Sequence, residues 1–538
     1  MKDNRKLRQV AIVTGVGLAA SLGLSAGVAP AFAGNGPGYG HGHGHGHDRG
    51  IDTSELREAV TAENINAHLE AFQAIADVND GNRAAGTAGH VASAEYVEQQ
   101  LQSVGYKTER QPFSYDQFVL NSSSFEQVAP TPTTYVDQTD YAVMSYSGVG
   151  DVSGTVVPVD INLEGDRAST SGCEAEDFAG FTEGNIALLQ RGSCDFRVKV
   201  DNAAAAGAVG AVVFNQGNEV EGDDRFGIVF GTLASPQAEI PAVGATFALG
   251  ESLAGTDATV RIQVDADIRT IETFNVLADT KGKDKHTVVV GAHLDSVAEG
   301  PGINDNASGS AAILETAIQM AESKDKPRNQ VRFAFWSGEE DGLVGSDHYV
   351  AQLSEREIKE HQLNLNFDMV GSPNFVRFVY DGDGDAFGTE GPEGSDKIEA
   401  LFNEYFASQG LATDPTAFDG RSDYFGFINV GIPAGGLFTG AEGVKTEEQA
   451  AKYGGTAGAA YDPCYHQACD TIANVNTEVL EQMADAIAHS TMTYAETKSP
   501  LNGKAKGHGH GHDKGKGHHK GHGHGHGHGH GHGPHFSD

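Results

Sequence analysis

Five side chains that can bind metal ions stand at breaks between predicted strands and helices of this 538-residue chain. They are His293 in VVVGAHLDS, Asp305 in GINDNASG, Glu340 in FAFWSGEED, Asp368 in LNLNFDMVGS and His466 in DPCYHQACD. A further carboxylate, Glu339, directly precedes one of them. Imidazole and carboxylate donors around two metals, with a separate base for water, are what a two-metal hydrolase needs. The pattern therefore predicts metal-assisted hydrolysis.

Each position taken alone has a plainer interpretation. A single histidine or carboxylate in a loop is more often a helix cap or a solvated side chain, and GEEDG alone indicates an acidic turn. Several such positions in succession favour the metal site. Two metals about 3.5–4 Å apart need a bridging carboxylate, with one histidine and one carboxylate for each metal. Asp295 is placed to accept the other imidazole N–H of His293, and Glu339 to act as the base.

The elements that must position these residues alternate between strand and helix. Apolar strands are predicted at 287–292, 331–336 and 363–368, each leading into one of the motifs. Further strands are predicted at 376–380 and 434–438, and helices at 308–323, 346–353, 396–409 and 478–494. This alternation predicts an α/β sandwich with a largely parallel central sheet. In such folds the site lies outside the carboxyl ends of the strands.

Two regions before residue 268 have sequence patterns that differ from this alternation of strands and helices. Residues 56–76 and 92–104 have helical apolar spacing, with the loop DGNRAAGTAGH between them, and a strand follows. From Tyr141 to Asp267 short Val-rich strands and Gly turns predominate, with a helix predicted at 195–206. We therefore expect one α/β domain, 52–140 and 268–497, interrupted by a compact β-rich insert at 141–267.

Residues 1–33 have the composition of a secretory signal peptide. Four basic residues precede an apolar run that ends in the small-x-small pattern Ala31-Phe32-Ala33. A membrane anchor is the alternative, because the apolar run is nearly long enough to span a bilayer. The cleavage pattern and the polar segment after it favour a secreted, extracellular protein that starts at Gly34.

The charge of the chain is strongly negative. The formal charge is −38, and removal of the signal peptide, with four basic residues and one acidic, would leave −41. Such acidity argues against nucleic acids and anionic membranes as partners. We expect it to serve solubility outside the cell, and we expect a monomer.

Gly-His repeats occupy both ends of the mature chain, at 34–51 and 498–538. These segments have no apolar face, which predicts disorder. Their imidazoles could bind zinc, copper or nickel loosely at neutral pH, and an inert solubilising tail is the alternative.

Four cysteines form two local couples in the sequence. In a secreted chain the couples Cys173 with Cys194 and Cys464 with Cys469 favour disulfides. A CxxxxC zinc site is the alternative for the second couple, but no second sulfur pair accompanies it.

The sequence resembles the secreted bacterial co-catalytic zinc aminopeptidases of metallopeptidase family twenty-eight, of the aminopeptidase S and aminopeptidase Y type. The matching stretches are GAHLDSVAEGPGINDNASG, FAFWSGEEDGLVGS, NLNFDMVGSPN, GRSDYFGF and DPCYHQACD. They occur in the family's order, and the match covers about Asp52 to Thr497 with one insertion. The resemblance implies a zinc exopeptidase fold and two Zn²⁺ ions.

The resemblance also implies a role for each site residue. It makes Asp305 the bridging ligand, with His293 and Asp368 on one zinc and Glu340 and His466 on the other. Glu339 matches the general base. Tyr465 matches a tyrosine that donates to the oxyanion, and Arg421 in GRSDYF matches an arginine near the substrate. The family's short disulfide beside the last ligand matches Cys464–Cys469.

The insert at 141–267 resembles a protease-associated domain, with its RGSCDF and GAVVF stretches and matching cysteines. Such domains are usually interpreted as substrate filters or lids, and a passive spacer is the alternative. A structural Ca²⁺ with unknown ligands is also implied by the family. The DGDGD stretch at 381–385 hints at calcium, but Ala386 and Pro392 stand where an EF-hand has Gly and Glu, so an acidic turn is favoured.

These inferences predict a secreted aminopeptidase acting on peptides with a free N-terminus. The resemblance to the family, and nothing else in the sequence, implies a large apolar residue such as Leu at that terminus. A carboxypeptidase or another amide hydrolase on the same scaffold is the first alternative. The few Lys and Arg residues near the motifs favour a site that binds an amine over one that binds a carboxylate. A secreted metal-binding protein with a retired peptidase core is the second, but no ligand or base is missing.

Overall fold

The computed structural model describes residues 51–218, 225–324, 326–498 and 501. The predicted signal peptide, the Gly/His segment up to residue 50 and the tail after residue 501 lie outside the described residues. The strands are β1 Thr108–Ala129, β2 Thr133–Thr134, β3 Tyr141–Val143, β4 Gly150–Pro158, β5 Ile186–Gln190, β6 Gly210–Phe214, β7 Ala242–Ala245, β8 Thr259–Asp279, β9 Lys283–His293, β10 Asn329–Trp336, β11 His361–Phe367, β12 Phe378–Tyr380, β13 Asp414–Thr416 and β14 Ala434–Phe438.

The helices precede, separate and follow these strands along the chain. They are α1 Ser54–Ala59, α2 Ala62–Val78, α3 Ala88–Ser103, α4 Phe196–Ala205, α5 Phe247–Ala254, α6 Ser308–Glu322, α7 Val344–Ala351, α8 Glu355–Glu360, α9 Ser395–Ser408, α10 Phe425–Asn429, α11 Glu447–Tyr453 and α12 Thr477–Glu496. The helix predicted at 56–76 is divided in two, because the Thr61 side chain accepts the N–H of Asn64 and caps a new helix, α2. Short helical turns occur at Ala175–Phe178, Ile303–Ala307 and Ile472–Asn474.

The strands follow the order β13-β12-β14-β11-β9-β10-β8-β4-β5-β6-β7-β3. At the centre, β9 pairs in parallel with both β10 and β11, and β11 pairs in parallel with β14. Antiparallel neighbours, β8 and β12, flank this parallel core. The parallel core brings the carboxyl ends of β9, β10, β11 and β14 to one edge of the sheet.

Alternate residues of the central strands enter two different cores. On one face Val288 and Val290 of β9 pack with α1, α2, α3, α6, α9 and α12. On the other face Val289 of β9 joins Trp336, Tyr349 and Phe427, under α7 and α10. Because successive side chains of a strand point to opposite faces, the sheet is covered by helices on both sides. The predicted α/β sandwich is confirmed.

A long antiparallel ribbon connects this sheet to the insert. Strand β1 pairs with β8 from Thr108↔Ala278 to Ala129↔Thr259. Strand β8 passes without a break through the predicted boundary between 267 and 268, where Val119 pairs with Asp267. Beyond the ribbon, β4 to β7 form a smaller sheet with a buried core on each face, between α4 and α5. The insert boundaries stay a prediction.

Candidate active site

Three of the predicted ligands lie at the carboxyl ends of the central parallel strands. His293 is the last residue of β9, and it pairs in register with Trp336 at the end of β10. Glu339 and Glu340 follow β10 after one short turn, and Asp368 directly follows β11. Their positions are fixed by the sheet, because neighbouring parallel strands end side by side.

Short distances join the side chains around His293. Its Nε2 lies 3.2 Å from Asp368 Oδ1 and 3.3 Å from Asp305 Oδ1. The same nitrogen lies 3.9 Å from Glu339 Oε2. Only 1 % of the imidazole is exposed. This group is buried and closely packed, with its ring nitrogen directed into a set of carboxylates.

A second set of donors surrounds His466. Its Nε2 lies 3.0 Å from Glu340 Oε2 and 3.3 Å from Asp305 Oδ2. Asp305 therefore directs one oxygen to each histidine, which is the position of a bridging carboxylate. The structure brings all five predicted ligands together.

Asp295 contacts His293 mainly through its main chain. The Nδ1 of His293 lies 3.2 Å from the carbonyl oxygen of Asp295 and 3.7 Å from its carboxylate. With Nδ1–H donating to the carbonyl oxygen, the ring adopts the tautomer in which Nε2 is free to bind a metal. The predicted role of the Asp295 carboxylate stays a prediction.

Two residues that support the site escaped the sequence analysis. The carboxylate of Asp470 accepts the backbone N–H groups of Asn304, at 2.8 Å, and Asp305, at 2.9 Å. It thereby fixes the backbone of Asp305, the predicted bridging ligand. Its place directly after Cys469, beside the last ligand, was the signal available in the sequence.

Arg83 is the second such residue, and it is fully buried. Its guanidinium donates to the carbonyl oxygens of Leu294, of Pro301 at 2.8 Å and of Gly302 at 2.6 Å. These carbonyls belong to the loop between His293 and Asp305, so the planar fork of Arg83 ties two ligands together through their backbone. In the sequence it is a lone arginine within the small-residue loop DGNRAAGTAGH.

The electrostatics of the cluster favour a bound cation. Burial lowers the pKa of His466, but its hydrogen bonds to Asp305 and Glu340 raise that pKa to about 10. Burial and the negative charge of Asp305 raise the pKa of Glu340 to about 8. Burial raises the pKa of Glu339 well above its usual value as well. Carboxylates crowded in this way are stabilised when a divalent cation lies among them.

The donor set fits such a cation. Two imidazoles and three carboxylates are ligands that zinc accepts. Glu340 Oε1 is buried and has no hydrogen-bond partner among the described residues, which leaves an acceptor open for a metal. His293, Asp305 and Glu340 offer ligand atoms within 4.8 Å of one another, and so do His293, Glu339 and Asp368.

A cavity of about 280 Å³ opens onto these donors. Its apolar wall includes Met369, Tyr380 and Phe438, and Arg421 and Tyr465 line it near the ligands. The guanidinium of Arg421 donates to the Tyr465 hydroxyl at 3.3 Å and pairs with Glu442 at 2.9 Å. The cavity is thus bounded by the predicted metal ligands and by an apolar recess formed by Met369, Tyr380 and Phe438.

The loop that carries His466 is closed by a disulfide. Cys464 and Cys469 are bonded, as are Cys173 and Cys194, so both predicted disulfides are confirmed. His466 has a φ of 55°, a left-handed conformation that is uncommon for residues other than glycine. Its ring stacks on Tyr465 with centroids 3.8 Å apart. The short covalent ring holds this conformation in place.

The DGDGD stretch forms an acidic turn. Asp381 is buried, and its carboxylate accepts the backbone N–H groups of Gly384, Ala386 and Phe387. The carboxylates of Asp381, Asp383 and Asp385 lie close together, but the backbone hydrogen bonds already satisfy the buried one, Asp381.

In the part of the chain that the structure describes, no helix is long and apolar enough to cross a membrane.

The fold and the donor cluster define a metal-dependent hydrolase. Residues 275–491 match peptidase family M28, and residues 152–253 match the PA domain. An aminopeptidase of Pseudomonas aeruginosa is 52 % identical over 440 residues, 81 % of this chain and 81 % of that protein. Leucine aminopeptidase 2 of Trichophyton tonsurans is 39 % identical over 459 residues, 83 % of this chain and 87 % of that protein. The chain belongs to peptidase family M28.

Solved structures agree with this assignment. The aminopeptidase from Aneurinibacillus sp. strain AM-1 is 27 % identical with a TM-score of 0.65, over 85 % of this chain and 99 % of that one. A zinc aminopeptidase from Bacillus subtilis shares the fold, at 24 % identity and a TM-score of 0.52, over 80 % and 94 % of the two chains. The predicted family, the PA insert and the enzyme class, a peptide hydrolase related to aminopeptidases, are confirmed.

Proposed function

We propose that the protein is a secreted two-zinc aminopeptidase that removes large apolar residues, such as Leu, from the N-termini of peptides. The observation that carries this proposal is Asp305, whose two carboxylate oxygens face two separate histidines, each of which also faces a further carboxylate. The names of the relatives, aminopeptidase and leucine aminopeptidase 2, and the zinc of the Bacillus subtilis enzyme support it.

In this proposal the donors divide into two half-sites that share Asp305. His293 and Asp368 would hold one zinc, and Glu340 and His466 the other. When bound, the two ions would lower the pKa of a water molecule and polarise the scissile carbonyl group.

Glu339 acts as the general base in this proposal. Its carboxylate lines the cavity and lies 3.9 Å from the Nε2 of His293, beside the proposed ligands. It accepts the proton of the attacking water and then delivers it to the leaving amine. Glu340 is directed to His466 and serves as a ligand in this proposal, which leaves its neighbour Glu339 to act as the base.

Tyr465 is proposed to stabilise the oxyanion. Its hydroxyl accepts a hydrogen bond from Arg421, which leaves its own proton available for the developing negative oxygen. Burial raises the pKa of the Tyr465 hydroxyl above its usual value, so it stays a donor at neutral pH. Arg421 is thereby a positioning residue for Tyr465.

The charges of the cavity favour a free amino group over a free carboxylate. The Asp419 carboxylate lines it, in addition to the four carboxylates proposed as zinc ligands and base, whose charges the two cations would offset. Among the described residues of the lining, Arg421 is the one Lys or Arg side chain, and its partner Glu442 offsets its charge. A carboxypeptidase needs an uncompensated cation for the terminal carboxylate. The apolar recess of Met369, Tyr380 and Phe438 suits a large apolar side chain.

The extracellular location, the monomeric state and loose metal binding by the His-rich tails are also part of the proposal. Two disulfides are compatible with an oxidising environment. We propose no ligand set for a structural calcium ion, because the Asp381 turn is satisfied by backbone N–H groups.

The test compares Leu-p-nitroanilide with its N-acetylated twin, within a panel of Leu, Phe, Ala, Lys and Glu anilides. We expect the free-amine Leu and Phe compounds to be hydrolysed fastest and the acetylated compound to react about 100-fold more slowly or worse. A chelator should abolish the activity and zinc should restore it. Equal cleavage of both twins, or activity that survives chelation, would contradict the proposal. Cleavage of an N-blocked dipeptide from its carboxyl end would identify the carboxypeptidase alternative.

A further inference from the structure

A second cavity lies between the insert and the peptidase domain. Its volume is about 630 Å³, within the range of roughly 300–1,000 Å³ common for ligand pockets. Its walls include Ser114 and Asp116 of β1, Thr270 of β8, Tyr146 and Thr232 of the insert, and Asp341 of the loop after β10. Four parts of the chain therefore form one recess, and no predicted ligand is among the residues that line it.

This cavity adjoins the metal-binding cavity. Gly342 lines both of them. The intervening loop is fixed, because Asp341 accepts hydrogen bonds from the Tyr115 hydroxyl and from Gln117 Nε2 at 2.8 Å. Since Asp341 directly follows Glu340, the wall between the two cavities is the segment that carries the proposed base and a proposed ligand. A chain leaving the reactive centre over Gly342 enters the second cavity.

The order of the strands indicates in which direction a bound peptide would run across the sheet. The apolar recess comes from Tyr380 of β12, Phe438 of β14 and Met369 after β11, on one side of His293. The second cavity comes from β8 and β1, on the other side of β10. If the side chain of the N-terminal residue fills the apolar recess, the scissile bond lies at the ligands. The rest of the peptide then runs towards β8, β1 and the insert.

We propose that this second cavity binds the residues that follow the scissile bond, and that the enzyme prefers peptides of three or more residues to dipeptides. The proposal rests on the aminopeptidase function proposed above and specifies its substrate class. Tyr146 anchors the insert side of the cavity, because its hydroxyl donates to the carbonyl oxygen of Asp116 at 2.5 Å. The insert thus forms one wall of a substrate cleft.

The chemistry of the walls adds a charge preference. Hydroxyl groups of Ser114, Thr232 and Thr270 and carboxylates of Asp116 and Asp341 line the cavity. Among the described lining residues there is no Lys or Arg. Basic or neutral residues after the scissile bond are therefore favoured over acidic ones.

The first test measures kcat/KM of the wild-type enzyme for the amides of Leu-Ala, Leu-Ala-Ala and Leu-Ala-Ala-Ala. We expect kcat/KM to rise about tenfold across the series, corresponding to about 1.4 kcal/mol of added transition-state binding. A flat series from an enzyme that hydrolyses Leu-p-nitroanilide would overturn this inference and leave the proposed function intact. Failure on the anilide itself would instead contradict the proposed function.

The second test fills the cavity with the Ser114→Trp substitution. Ser114 is exposed on β1, where an aromatic side chain is compatible with a strand. We expect kcat/KM for Leu-Ala-Ala-Ala amide to fall about tenfold more than kcat/KM for the anilide. The matched control is Ser122→Trp, an exposed serine of the same strand outside the cavity, which should change neither value. Equal losses on both substrates in Ser114→Trp, or the same selective loss in the control, would overturn the inference.

A third measurement addresses charge. The wild-type enzyme should prefer Leu-Ala-Lys-Ala amide to Leu-Ala-Glu-Ala amide by about two- to fivefold, and Asp116→Asn should reduce that ratio towards one. A preference for the glutamate peptide would contradict the assignment of this cavity.

Discussion

The two halves of the metal cluster are built by different means. The inner half-site, His293 and Asp368 with Asp305, lies at the ends of β9 and β11, and its imidazole is 1 % exposed. The outer half-site, Glu340 and His466 with Asp305, depends on a loop after β14, and its imidazole is 41 % exposed. The sheet positions His293 and Asp368, and a disulfide between cysteines five positions apart closes the loop that carries His466. In the proposed site, strand ends therefore position two donors of the inner half-site, whereas His466 of the outer half-site depends on a loop closed by a disulfide.

The largest expected effects come from removing the histidine of each half-site in turn. The loss of stability should differ between the two variants. We predict that His293→Ala destabilises the fold by about 3–5 kcal/mol, because it empties a fully buried position and leaves a cavity. His466→Ala should cost about 1 kcal/mol or less, because its imidazole is partly solvated. Both variants should lose nearly all activity. Chemical unfolding together with zinc content per chain measures the difference, and equal destabilisation by both substitutions would refute it.

The next effect concerns the clasp. Replacing both Cys464 and Cys469 by serine should release zinc from the outer half-site, with a loss of about 10- to 100-fold in metal affinity or activity. The zinc content should approach one ion per chain at limiting zinc.

The matched control replaces the disulfide of the insert, Cys173 and Cys194. That double variant should lose about 2–4 kcal/mol of stability but keep two zinc ions per chain. If both double variants lost zinc equally, the outer half-site would not depend on its own clasp.

A further way to distinguish the two half-sites comes from Arg83. Arg83→Lys cannot reproduce the three bonds to the loop between His293 and Asp305, so we expect a loss of about 3 kcal/mol and weaker zinc binding at the inner half-site. Arg110→Lys is the control, because Arg110 forms a partly exposed ion pair with Glu98 and should change stability by less than about 1 kcal/mol. Unchanged zinc affinity in Arg83→Lys would leave Arg83 a purely structural residue.

The same comparison explains what could be predicted from the sequence. Strand β14 was predicted with its observed bounds, and the ends of β9, β10 and β11 within about one residue, because a short apolar run with a polar stop is a local signal. His293, Glu340 and Asp368 lie at or just after those stops, whereas Asp305 and His466 stand in loops further along the chain and were visible through their own motifs. Their distances and the difference in exposure were not, because these depend on how separate loops pack.

Contacts between distant segments escaped prediction. The ribbon of β1 and β8 pairs residues 130 or more positions apart, and its exposed, alternating strands carry no marker of their partner. Arg83 acts on a loop more than 200 residues further along the chain. The second cavity combines β1, the insert and the loop after β10. Local sequence patterns contain no information about contacts between such distant segments.

The central claim is that Glu339 moves the proton while the five neighbouring donors hold two zinc ions. The most direct test is Glu339→Gln, with zinc per chain and kcat on Leu-p-nitroanilide measured on the same sample. We predict two zinc ions per chain, as in the wild-type enzyme, and a kcat lower by about 10²- to 10⁴-fold. A variant that retains both ions and turns over within tenfold of the wild-type rate would contradict the account, and one that loses zinc would make Glu339 a ligand.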